Sequence, residues 1–93
     1  MPQYIVISNH TAEDCVKALQ ETLAIGYLTH FKWGCKDNVH TGWAILEAES
    51  KAEAIMSVPT FLRSNARVVL LTQYDPEKVR KMHPTGGSRE RLP

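Results

Sequence analysis

Four turn-forming residues, Lys36-Asp37-Asn38-Val39, separate two segments that read as strands, about Leu28 to Gly34 and Thr41 to Ala48. So short a connection leaves room for a hairpin and none for a crossover, so the two strands pair antiparallel. The rest of the architecture can be counted outward from that hairpin.

Upstream, Tyr4-Ile5-Val6-Ile7-Ser8 is β-branched and aromatic, which predicts a first strand. Asn9-His10 leads into Thr11-Ala12-Glu13-Asp14, where Thr11 suits an N-cap and the acids suit a first helical turn. Cys15, Val16, Leu19 and Leu23 recur at helical spacing and Gly26 is placed to stop the run. This predicts a helix over 12–25 with Cys15 on its core-facing stripe. Downstream, Ser50-Lys51-Ala52-Glu53 matches a capping box and opens a second helix. Pro59 breaks that helix and suits the first turn of a continuation through Arg63. Arg67 to Tyr74 predicts a fourth strand, and Asp75-Pro76-Glu77 starts a short helix ending near Met82. From Pro84 onward there is no periodicity, so 84–93 is expected to be a disordered tail.

The element order is β-α-β-β-α-β, an α+β ferredoxin-like arrangement in a single domain over 1–83. A right-handed crossover and the hairpin give an expected antiparallel sheet of order 4-1-3-2, with both helices on one face. The other face would still carry apolar residues, drawn from Tyr4, Val6, Phe31, Trp33, Trp43, Leu70 and Tyr74. An apolar sheet face needs a cover, and a second copy packed sheet to sheet would supply it.

Composition narrows the functional classes. A formal net charge of +1 over 93 residues gives no electrostatic case for nucleic acid or an acidic membrane. Apolar runs such as Val68 to Leu71 are far too short to span a bilayer. The start, Met1-Pro2-Gln3-Tyr4, enters a strand pattern directly, so no secretory signal is expected. With two cysteines, that points to free thiols in a cytoplasmic protein rather than to a Cys15–Cys35 disulfide.

The topology brings the end of the first strand, the hairpin turn and the start of the first helix to one edge of the sheet. His10, Cys35 and His40 should therefore meet there, near helix N–H groups that favour anions and thiolates. Two imidazoles and a thiolate would ligate a divalent transition metal such as zinc and leave a fourth position free, although no CxxC or HxxxH spacing marks a zinc finger. The same residues would also serve as a metal-free site, with His10 and His40 as acid and base and Cys35 as nucleophile. Alternatively they are satisfied structural groups. Tyr4, Ser8, Trp33 and Trp43 would line a ligand cavity beneath that end, or fill a dimer interface. Strand parity does not say which set points inward. Arg63 and Arg67 would hold a carboxylate or phosphate, or else pair with nearby acids. Cys15 is read as core, His30 as surface or interface, and His83 as a helix-end residue.

The pattern Tyr4-x-Val6-x-Ser8-x-His10-Thr11-x-Glu13-Asp14-Cys15, with Gly34-Cys35 and His40-Thr41-Gly42-Trp43, resembles a small prokaryotic branch of the dimeric α/β-barrel superfamily. The resemblance spans roughly residues 3–75 and rests on element order, length and a two-sided apolar sheet. It implies two ferredoxin-like subunits closing a shared barrel. That superfamily holds cofactor-independent monooxygenases, haem-degrading enzymes, lactone isomerases and small-molecule sensing domains, so it constrains fold more than chemistry. The expected function is a homodimer binding a small molecule at the His10/Cys35/His40 end. The alternatives are a small oxygenase, isomerase or metal-assisted hydrolase using His10 and His40, and a purely structural interaction module.

Overall fold

A computed structural model describes residues 1–83. The β-branched segment Gln3–Asn9 forms strand β1, in which Tyr4, Val6 and Ser8 are buried and Ile5, Ile7 and Asn9 only half-buried. That alternation is the period-two signature of a strand with one well-covered face. β1 pairs with β3 (Thr41–Glu47) on one side and β4 (Ala66–Leu71) on the other. A two-residue strand β2 (Lys32–Trp33) extends the sheet beyond β3, giving the order β2-β3-β1-β4, antiparallel at every pairing.

The register settles the faces. Val6 lies opposite Ala44 and Val68, and Ser8 opposite Gly42 and Ala66. These residues, with Tyr4 and Trp33, look toward the helices. The open face carries Ile5, Ile7, Trp43, Ile45, Val69 and Leu71. The apolar set expected on that face is corrected accordingly. Tyr4, Val6 and Phe31 belong to the core, Trp33 packs against it, and Leu70 pairs with Tyr4; of the strand residues named, Trp43 alone is on the open face. The aromatic content was read correctly, but one residue of register decides its side.

Helix α1 (Cys15–Ala24) starts later than the spacing suggests. The Asp14 N–H donates to Thr11 Oγ1 at 3.2 Å and to the Thr11 carbonyl at 3.1 Å, so residues 11–14 form a hydroxyl-capped turn before the helix. Its core-facing stripe is Ala18 and Thr22, flanked by half-buried Cys15 and Leu19, whereas Val16 and Leu23 are exposed. Burial of Thr22 is affordable because its hydroxyl donates to the Ala18 carbonyl at 2.7 Å. The expected long second strand is mostly absent. Leu28–His30 winds into a 3-10 turn instead, held by His30 N–H to the Tyr27 carbonyl and Phe31 N–H to the Leu28 carbonyl.

Ser50 caps α2 (Lys51–Ala54), accepting from the Glu53 N–H at 3.1 Å. The chain then passes through a 3-10 turn at Ile55–Ser57, buried Pro59 and a second 3-10 stretch at Thr60–Asn65. Pro59 breaks the helix as expected, but the continuation is 3-10 rather than α. β4 stops at Leu71, short of Tyr74, and a terminal helix α3 (Pro76–Lys81) follows with Asp75 accepting from the Glu77 N–H. The segment 84–93 lies outside the described residues. No helix among those described is long and apolar enough to cross a membrane.

The core consists of Tyr4, Val6, Ala18, Phe31, Ala44, Ala48, Ala54, Val58 and Leu62. Four of these nine are alanines, so the layer between sheet and helices is thin. Val6→Ala should cost about 2–3 kcal/mol in chemical denaturation. Ile45→Ala on the open face should cost no more than about 0.5 kcal/mol in the monomer. Equal losses would mean the faces are assigned wrongly.

Candidate metal centre

β1 and β3 continue one step past their last strand residues, because the His10 N–H donates to the His40 carbonyl at 3.0 Å. Asn9 braces this end from both sides. Its Nδ2 donates to the Asn65 carbonyl at 3.1 Å, and its Oδ1 accepts from Thr41 Oγ1 at 2.9 Å. The two imidazoles are thereby set edge to face, with ring centroids 5.6 Å apart, and the Trp33 ring lies 6.2 Å from His10. Thr11 then reverses the chain so that Cys15 opens α1 over the same spot.

The hairpin delivers the remaining thiol. Cys35–Asp37 is a single 3-10 turn, closed by Asp37 and Val39 N–H groups on the Gly34 carbonyl and by left-handed Asn38 (φ 63°). Asparagine tolerates that conformation better than most residues. A Cβ on Gly34 would sit 2.9 Å from the Val39 carbonyl oxygen, so the turn can close this tightly only with glycine there. It directs Cys35 Sγ to within 3.5 Å of His10 Nε2.

His10, Cys15, Cys35 and His40 present four donor atoms that all lie within 4.8 Å of one another. All four residues are half-buried. The sequence pointed to three of them. Cys15 was assigned to the core because its helical spacing matched the apolar stripe. The signal that would have found it is the edge argument itself: the N-terminus of α1 was expected at this end, and Cys15 opens α1.

Burial sets the electrostatics. Loss of water lowers the His10 pKa, helped by the neighbouring His40 charge and partly opposed by Asp14. Burial likewise raises the Cys35 thiol, reinforced by its hydrogen bond to Cys15 and by the Cys15 charge, against a backbone N–H that favours the thiolate. Without an ion the cluster therefore disfavours charge. His10 Nδ1 and His40 Nδ1 are buried with no hydrogen-bond partner among the described residues. Such nitrogens cost roughly 1–3 kcal/mol each when left unpaired; an ion held by Nδ1 removes that cost, whereas one held by Nε2, the His10 nitrogen that faces Cys35, leaves it.

A zinc ion with bonds of about 2.3 Å to sulfur and about 2.0–2.1 Å to nitrogen has ligand-to-ligand edges of roughly 3.3–3.8 Å. The cluster would need to contract on the order of 1 Å at its widest edge to fit. Two cysteines and two histidines are a complete tetrahedral zinc set.

The other candidate residues are not part of the donor set, although the Trp33 ring borders His10. Ser8 is buried on the helix side with no partner for its Oγ among the described residues, and Tyr4 is in the core. Trp33 covers Gly42, where a Cβ would fall 2.7 Å from the indole. Trp43 is on the opposite face, lining a shallow apolar depression with Ile5, His30, Lys32, Ala44 and Ile45. Tyr4, Ser8, Trp33 and Trp43 therefore do not line one cavity. Arg67 is exposed on the open face opposite Ile7, and Arg63 donates to the Val58 carbonyl at 2.8 Å. His30 lies tilted against Tyr27 with ring centroids 5.0 Å apart, and His83 is exposed beyond α3.

No known protein family, curated protein or solved structure matches this chain.

Two outcomes follow. Gly42→Ala should cost about 1–3 kcal/mol by displacing Trp33, read by denaturation and a shifted tryptophan emission; an unchanged midpoint would refute the close approach. The metal-free protein should be most stable between the reference values of His10 and Cys35, 6.5 and 9.0. Below the first, the unfolded chain takes up a proton that folded His10 resists. Above the second, the unfolded thiol ionises while folded Cys35 resists. Denaturation midpoints across that range check both signs.

Proposed function

We propose that this chain is a metal-binding protein in which His10, Cys15, Cys35 and His40 hold one divalent ion of the zinc class. The observation that carries this reading is the meeting, within 4.8 Å, of four nitrogen and sulfur donors from separate stretches of chain. Four protein ligands fill a tetrahedron and leave no place for a reactive water. The reading therefore favours a closed site that ties the end of β1, the start of α1 and the hairpin together, over a metal-assisted hydrolase.

Purified chain stripped of metal should take up one zinc per protein in a calorimetric titration. Cys15→Ala and His40→Ala should each abolish stoichiometric uptake while circular dichroism stays that of the metal-free wild type. Uptake unchanged by Cys15→Ala would contradict the four-ligand site. At a free ion concentration of one hundred times the dissociation constant, binding should stabilise the fold by about 2.7 kcal/mol. Because the bound form needs thiolates, affinity should rise with pH through the thiol range, opposite in sign to the metal-free stability.

The open face supports a second reading, which concerns assembly. Ile5, Ile7, Trp43, Ile45, Val69 and Leu71 run across three strands with no helix layer over them among the described residues. A second copy laid sheet to sheet would cover them, in the manner of the dimeric α/β barrels this sequence resembles, and a small apolar ligand would sit over Trp43 between the copies. Sedimentation equilibrium should give a dimer for wild type and a monomer for Ile45→Lys. A monomeric wild type at micromolar concentration would end that reading.

A further inference from the structure

The cysteine pair supports a chemistry beyond metal holding, and the inference rests on the metal-binding reading above. Cys15 and Cys35 are both free thiols, with sulfurs no more than 4.8 Å apart. They belong to elements with unequal freedom to move. His10 and His40 are fixed by the β1–β3 ladder and the Asn9 brace. Cys15 opens a helix that buries only Ala18 and Thr22, and Cys35 sits on an isolated 3-10 turn. Besides Ala18 and Thr22, α1 is seated by half-buried Leu19 and by Lys17 over the Phe61 ring, all beyond its first residue, so a small shift of Cys15 toward the hairpin displaces few core contacts. Closing the gap to a sulfur–sulfur bond of about 2.05 Å is then a local movement.

We propose that Cys15 and Cys35 form a reversible disulfide under peroxide, and that its formation dismantles the metal site. One thiolate attacks the peroxide oxygen, breaking the O–O bond, giving a sulfenic acid and releasing hydroxide. The second thiolate attacks that sulfur, forming the S–S bond and expelling a second hydroxide. Two protons from solvent convert both to water. Two electrons pass from the sulfurs to one peroxide, and the ion loses both of its thiolate ligands. The two remaining imidazoles are too few to retain zinc in a tetrahedral site, so it is released.

The test treats zinc-loaded and metal-free protein with hydrogen peroxide, followed by peptide mapping under non-reducing conditions and a chromogenic zinc assay. The expected result is an intramolecular Cys15–Cys35 link, a mass lower by two hydrogens, one zinc released per link formed, and full reloading after dithiothreitol. Cys15→Ser and Cys35→Ser should each lose the link and carry oxygen adducts on the remaining thiol. Oxygen adducts or intermolecular links in wild type, without the internal disulfide, would overturn the proposal, as would a link that leaves zinc bound. If the link forms but the protein never takes up zinc, the thiol pairing stands and the metal reading fails.

Discussion

The hydrogen bond from the His10 N–H to the His40 carbonyl is a small interaction on which the whole site depends. It carries the β1–β3 ladder one step past the sheet, so two residues thirty positions apart are fixed opposite each other by backbone geometry alone. Asn9 makes that end rigid by bonding both to Asn65, ahead of β4, and to Thr41 at the start of β3. Side-chain rotation is then almost the only freedom left to the imidazoles. The thiols are brought to them by two reversals of the chain, the Thr11 turn and the Gly34–Asn38 turn. Each reversal rests on a residue with a specific local role, a capping hydroxyl in one and a glycine in close approach in the other.

The thinness of the core makes a metal ion physically meaningful here. Alanines at 18, 44, 48 and 54 let the helices approach the sheet closely, but each buries little apolar area. Small domains with cores of this kind gain disproportionately from a staple, whether a metal, a disulfide or a second copy. The tetrad and the open apolar face lie on different parts of the sheet, so an ion and a partner would stabilise the fold independently.

How much of this was readable from residues alone varied with the length scale of the signal. The antiparallel sheet was legible from the four-residue connection at Lys36–Val39 and the β-branched run at Tyr4–Ser8, because both constrain local geometry directly. The capping box at Ser50 and the break at Pro59 were legible for the same reason. The short β2 was not, since the bonds that wind Leu28–His30 into a turn compete with strand pairing and leave no mark in the pattern. The faces of Tyr4, Trp33 and Trp43 depended on register, which alternation leaves ambiguous. At the site, Cys35 and His40 are legible as a thiol and an imidazole bracketing one turn, and His10 joins them by asking which elements end at that edge. Cys15 was missed because a small sulfur-bearing side chain on an amphipathic stripe is usually core.

X-ray absorption at the zinc K-edge of the loaded protein tests the central claim most directly. A bound ion should show two sulfur scatterers at about 2.3 Å and two nitrogen scatterers at about 2.0–2.1 Å, with imidazole multiple scattering and no further oxygen. A shell of oxygen and nitrogen without sulfur, or one sulfur with a water-derived oxygen, would contradict the four-residue centre.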